Sequence, residues 1–293
     1  MTNNTRIEKG IFLHFEMIPD RLPNELKELI QKFPSGSLQF EIGIQTLNPE
    51  VERNVSRRQN HSRIRENLQF LKNESRVHTH VDLIAGLPGE SLESFALGFD
   101  EVQEFGADEI QVGILKRLNG APIARHTTEF EMKYDKESPY EILQNRDLDF
   151  FQVQGVKRMA KVWDLYANSG VFPNFKEFLK KHCHDEAKSL FWMFWNLSEF
   201  VFRSEGRTHA ISLQRQFELA NDFLILELKH SQAKSAEVLL ADFARSKHQA
   251  TPAFLRGASS RALASDQKSL DHGSIDRVSS PRNRRQMTHA TSQ

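Results

Sequence analysis

The sequence predicts an α/β layer followed by an α-helical domain, and three observations carry that reading. Up to about residue 120, short apolar strands alternate with helical stretches. From about Ser138 the periodicity becomes helical and aromatic-rich. After Phe254 no aromatic residue remains, and the chain becomes Ser-rich and mixed in charge. The expected boundaries are 1–135 for the βα layer, 136–256 for the helical domain and 257–293 for a disordered tail.

Taken in order, IFLHFEM (11–17) reads as a strand that leads through Pro19 and Pro23 into the helical LPNELKELIQKF. SLQFEIGIQT (37–46) is a second strand, and Asn48 can then cap a helix with Pro49 at its first position. HSRIRENLQFLKNE sets Ile64, Leu68 and Leu71 on one helical face. HTHVDLIAG (78–86) is a third strand, and the turn LPGES leads into the helix SLESFALGFDEVQEFG. EIQVGILKR (109–117) is the fourth strand. Strands joined by helical crossovers run parallel and turn right-handed. The stretch 138–170 reads as helical, closed by Gly170 and Pro173, and 187–202 as an aromatic helix buried on most sides. HAISLQRQFELANDFLILELK adds another helix.

Composition narrows the function. The 39 Lys+Arg balance 39 Asp+Glu, which removes the electrostatic case for a general nucleic-acid binder. No apolar run reaches the ~18 to 20 residues of a membrane span. MTNNTRIEKG lacks the apolar core of a signal peptide, which points to a cytoplasmic protein. One cysteine, Cys183, leaves no internal disulfide and no thiolate-ligated zinc or iron–sulfur site built by this chain alone. Its flanking histidines, His182 and His184, each point about 100° away from it on a helix and do not converge with it as ligands.

In parallel α/β layers, ligands sit where strands end. That rule selects Glu16, Gln45, Asp82 and the segment around Leu115 to Arg117. A carboxylate such as Asp82 can take both vicinal hydroxyls of a ribose, and an amide such as Gln45 both donates and accepts. Arg57 offers a planar fork for a carboxylate or phosphate. Taken singly, each has an ordinary reading as a turn, a cap or a solvated side chain. His78, His80 and Asp82 share one strand face, but residues two apart on a strand lie ~6.6 Å apart, too far for one small ion without help from elsewhere. Interior packing is the reading we carry forward, with no metal ligands assigned.

Jointly, FEIGIQTLNPEVERNVSR and HVDLIAGLPGES resemble the radical S-adenosylmethionine (radical SAM) enzymes. The likeness is to their cobalamin-binding subgroup and to oxygen-independent coproporphyrinogen oxidases. The shared elements are a strand ending G-(V/I)-Q-(S/T), a following N-x-E-V, an (N/S)-R one helix later and a strand reading D-L-I-x-G-L-P-G. IQVGILKRLNGAPI resembles the sixth strand of those barrels. SPYEIL to the end of the aromatic helices resembles an uncharacterised C-terminal domain of one branch. The implied fold is a partial TIM-like barrel, strands three to six of a six-stranded one.

The implied cofactor is S-adenosylmethionine. Glu16 would stand near its amino group and Gln45 and Asp82 would hold the ribose, with Arg57 facing the methionyl carboxylate. Gly86, Leu87 and Pro88 would form the turn beneath the adenine, and Ile114 and Leu115 would offer it backbone contacts. The [4Fe–4S] cluster and cobalamin of such enzymes find no CxxxCxxC loop and no cobalamin domain here. The expectation is therefore the C-terminal part of a radical SAM, cobalamin-dependent enzyme, inactive alone. A separately encoded N-terminal half of the barrel would dock on strand 11–17. The alternatives are a non-catalytic binding module, a truncated remnant of such an enzyme, or an unrelated barrel enzyme using Glu16, Glu41 and Asp82 as acid–base groups. That last reading requires raised pKa values, of which the sequence carries no sign.

Overall fold

The computed structural model describes residues 11–246 and 251–256; the expected tail, 257–293, lies outside the described residues. Four strands, β1 (Leu13–Met17), β2 (Leu38–Gln45), β3 (His78–Ala85) and β4 (Glu109–Ile114), form one parallel sheet in that order. They are joined by α1 (Asn24–Ile30), then α2 (Pro49–Asn54) and α3 (His61–Glu74), then α4 (Leu92–Phe105). The expected capping holds: the Asn48 side chain accepts from the N–H groups of Glu50 and Val51, with Pro49 at the first helical position. Ser91 caps α4, and Gly106 closes it with φ 90°.

Period-two alternation splits the sheet into two faces. Phe40, Ile42 and Ile44 of β2 and Val81, Leu83 and Ala85 of β3 are buried against the helices. The register pairs Glu16 with Glu41, Gly43 with Asp82, and His80 with Glu109, which gathers the polar residues on the opposite face.

Beyond β4 the chain departs from the expected helix over 138–170. Residues 138–148 instead contribute strand β6 (Ile142–Gln144), paired antiparallel with β5 (Lys133–Tyr134). The helix α5 (Phe150–Trp163) begins only where Asp149 and Gln152 form a reciprocal capping box. Ile142 is fully buried in a satellite core with Leu87, Leu115, Phe130 and Met132, and that burial outweighs the local helical pattern.

Helices α6 (Pro173–Asp185), α7 (Leu190–Glu205), α8 (Leu213–Leu226) and α9 (Gln232–Arg245) follow. The aromatic helix is buried along Phe191, Phe194 and Phe200, as expected, while Phe202 is exposed. One core runs from the sheet through α4 into α5 and α7, where Phe99 meets Trp163 and Phe191 edge-on. The outer edge of β4 is covered: Trp163 Nε1 and Asn168 Nδ2 both donate to the Ile110 carbonyl at 2.9 Å. Among the described residues no strand pairs with the outer edge of β1, where Phe12, Phe15 and Ile18 are exposed. No described helix is long and apolar enough to cross a membrane.

Candidate functional site at the strand ends

Four of the sequence-selected residues meet on the polar face, toward the carboxyl ends of β1–β3. Gln45 ends β2 with φ 68°, in the left-handed region, where the β2–β3 register skips a residue. A non-glycine residue in that conformation is held by its surroundings rather than by its own preference. Its side-chain amide makes no hydrogen bond among the described residues. Arg57 folds back over Gly43, the register partner of Asp82, and its Nη1 donates to the Gly43 carbonyl at 2.5 Å and to Gln59 Oε1 at 3.3 Å. A Cβ at position 43 would stand 3.6 Å from Arg57 Nη2, so the guanidinium lies over that backbone. Burial pushes the Arg57 pKa down, and Glu52 opposes the shift.

Asp82 sits between the carboxyls. Its Oδ1 is buried and has no hydrogen-bond partner. Burial first, then the neighbouring Glu41 charge and a hydrogen bond to Glu41, push its pKa up to about 6; Glu16 adds to the rise and His80 opposes it. The raised carboxyl that an acid–base reading demands is therefore present, contrary to expectation from sequence. Glu41 is itself held by His14 Nε2 at 3.0 Å.

The remaining predicted residues are placed differently. Gly86 has φ 92°, and a Cβ there would meet Ile142 Cγ2 at 2.6 Å. Asn145 Nδ2 donates to the Gly86 carbonyl, and Asn54 Nδ2 donates to that of Pro88 at 2.8 Å. Leu87 and Leu115 are buried in the satellite core. Leu115 donates its N–H to Ala85 and accepts from the Ile142 N–H. The β5–β6 hairpin encloses this turn, and Ile114 packs beside it. The hairpin was hidden in sequence by the helical reading of SPYEIL.

Two polar groups escaped sequence reasoning. Glu90, in the turn after β3, is buried and accepts from Thr46 Oγ1 at 2.6 Å, while its Oε2 has no partner. Burial pushes its pKa up to about 7, against the Thr46 and Ser94 hydrogen bonds. Glu109, at the start of β4, receives His78 Nε2 at 2.9 Å and His80 Nε2 at 3.2 Å. Burial alone would raise its carboxyl, but the two histidines outweigh it and hold the pKa at about 2. His78 and His80 therefore do converge, with Glu109 rather than Asp82; the help that one strand lacks comes from its neighbour.

A family model described as "Protein of unknown function (DUF4080)" matches residues 128–285, more than half of the chain. The chain belongs to the DUF4080 family. This DUF4080 protein is also 34% identical over 88 residues to the oxygen-independent coproporphyrinogen III oxidase of Salmonella typhimurium, covering 30% of this chain and 19% of that protein. It is 31% identical over 107 residues to the ribosomal protein uS12 methylthiotransferase RimO of Pelobacter propionicus, covering 36% and 24%. The chain thus spans about a fifth to a quarter of the length of these curated relatives. The solved coproporphyrinogen III oxidase of Escherichia coli, described as a radical SAM enzyme, matches with 28% identity and a TM-score of 0.32 over 35% of this chain and 23% of that one. Over part of its length this DUF4080 protein resembles the radical SAM superfamily, as the strand-end motifs implied.

The donor set suits one implied cofactor and not another. S-adenosylmethionine fits: an unpartnered buried carboxylate oxygen, an unengaged amide and acidic groups suit ribose hydroxyls and a cationic sulfonium. A [4Fe–4S] cluster does not. The one cysteine, Cys183, is buried in α6, and burial pushes its thiol up to about 11, where it stays protonated.

Proposed function

We propose that the polar sheet face binds the adenosyl and methionyl parts of S-adenosylmethionine, as one part of a radical SAM-type barrel, without supplying cluster chemistry itself. Asp82 accepts the ribose hydroxyls, Gln45 assists from the end of β2, and Arg57 faces the methionyl carboxylate. Glu16, with Glu41 behind it, accepts the amino group. The observation that carries the reading is the buried, unpartnered Oδ1 of Asp82 among these carboxyls. Such an oxygen is costly to leave unpaired, and a ligand hydroxyl pairs it. Positive charge on the ligand also relieves the crowding of Glu16, Glu41 and Asp82.

Any iron–sulfur cluster, together with the cobalamin implied by the resemblance, comes from outside these residues in this proposal. The outer edge of β1, unpaired among the described residues, is where the complementary strands of the barrel add. Alone, the chain is then a binding module and not a catalyst.

Calorimetric titration of the full chain with S-adenosylmethionine tests this. Saturable binding is expected, weakened about 10- to 100-fold by Asp82→Ala and by Arg57→Ala, the cost of a lost charge-assisted hydrogen bond. Wild-type protein that gives no saturable heat refutes the proposal, as does binding indifferent to both substitutions.

A further inference from the structure

At the opposite end of the strands lies a second polar cluster that the S-adenosylmethionine reading does not use. His78 opens β3 and Glu109 opens β4, and His80 is the register partner of Glu109. Strand alternation points both histidines to the same face, and their rings meet edge-on at 5.0 Å. Their Nε2 atoms approach different oxygens of one carboxylate, His78 to Oε1 at 2.9 Å and His80 to Oε2 at 3.2 Å. One ligand atom from each of the three residues lies within 4.8 Å of the other two. Ligands around an ion at ~2.1 Å stand at most ~4.2 Å apart, so small side-chain rotations close the set.

A second carboxylate stands behind the first histidine. Asp108 Oδ2 is 3.7 Å from His78 Nδ1, and it is fixed by the Thr79 N–H at 2.9 Å and the Thr79 hydroxyl at 3.0 Å. At 3.7 Å this is a charge contact, which a small rotation of the ring converts to the carboxylate–imidazole hydrogen bond that orients a metal-bound histidine. The His78 and Glu109 side chains are about a quarter to a third accessible, at 27% and 30%, which leaves room for water to complete the coordination. A simple ion pair needs one imidazole and no such backing.

We infer that His78, His80 and Glu109 form a binding site for one divalent first-row transition-metal ion of the Zn²⁺ class, with Asp108 positioning His78. Two imidazoles and a carboxylate with open positions is the donor set that borderline ions favour over Mg²⁺ or Ca²⁺. The site lies toward the amino ends of the strands; His80 is two residues from Asp82 on the same face and acts on it through charge, but no ligand atom of the set comes from the residues proposed to hold S-adenosylmethionine.

The test is titration of chelator-stripped full-length protein with Co²⁺, read by visible d–d absorption, and with Zn²⁺ in competition with a chromophoric chelator. One equivalent per chain is expected. Glu109→Gln, close in shape, and His80→Ala each weaken binding at least tenfold, and Asp108→Asn weakens it about 10- to 100-fold. His184→Ala, in an exposed residue outside the cluster, leaves it unchanged. Wild-type protein that gives no cobalt spectrum overturns the inference, whether or not a variant folds. So does a spectrum that survives both Glu109→Gln and His80→Ala.

Discussion

Glu90 is the residue whose environment makes the sharpest solution statement. The residue is 3% exposed, accepts from the Thr46 hydroxyl through Oε1 and leaves Oε2 unpartnered. Its pKa rises from an ordinary 4.5 to about 7 in the folded chain. Between those values the native protein binds a proton that the unfolded chain has lost. Its contribution is therefore fully favourable below pH 4.5 and is lost as pH rises through 7, by ~3 kcal/mol in all. Urea unfolding at pH 5 and pH 8 should show wild-type protein losing more stability across that interval than Glu90→Gln, whose amide does not titrate there. Equal losses in the two proteins would show that Glu90 is not proton-linked. Sequence could not have exposed this, since Glu90 sits in an ordinary-looking LPGES turn; only the fold brings Thr46 over it.

At the scale of elements, the packing of α5 on α7 turns on one small residue. Gly155 lies mid-helix, where glycine costs ~1 kcal/mol relative to alanine. A Cβ at that point would stand 2.0 Å from Cη2 of the Trp195 ring, so the indole occupies the side-chain space itself. Gly155→Ala gains the propensity but must displace the ring, and overpacking typically costs ~1–3 kcal/mol. A net loss of stability is expected, measurable as a lower Tm, and restored when Trp195→Leu vacates the space. A raised Tm in the single variant would mean that the two helices separate freely.

The elements differ in how legible they were. The four strands follow from alternation and the start of α2 from Asn48 and Pro49, all local signals. Helix α9 was not singled out from sequence, although QAKSAEVLLADFAR is amphipathic and buries Ala236, Val238 and Leu239. Its fixed point is Asp242, which reaches across the fold to accept from the N–H groups of Asn174 and Phe175 at the start of α6. SPYEIL failed as a helix because Ile142 is claimed by a distant core.

For the whole molecule, the sheet acts as a platform with two polar ends on one face, S-adenosylmethionine proposed at one and a metal ion at the other. The placement of Glu16, Gln45 and Asp82 along the strands was readable from sequence because a parallel layer fixes where its strands end; their proposed role, and that of Arg57, rests on the family likeness. The surroundings of Gly86, Leu87 and Leu115 were not readable, because the hairpin that encloses them is assembled from residues far along the chain. Glu109 was missed for the same reason, since strand adjacency is invisible until the register is known.

The central claim is that the carboxyl ends of β2 and β3 hold the nucleoside. Amide hydrogen exchange of the full chain, with and without saturating S-adenosylmethionine, reads this directly. Slowed exchange should be confined to residues 43–47, 55–59 and 82–90, with the helices after Phe150 unchanged. Unaltered exchange in those three segments, or protection lying only among the helices, would contradict the account.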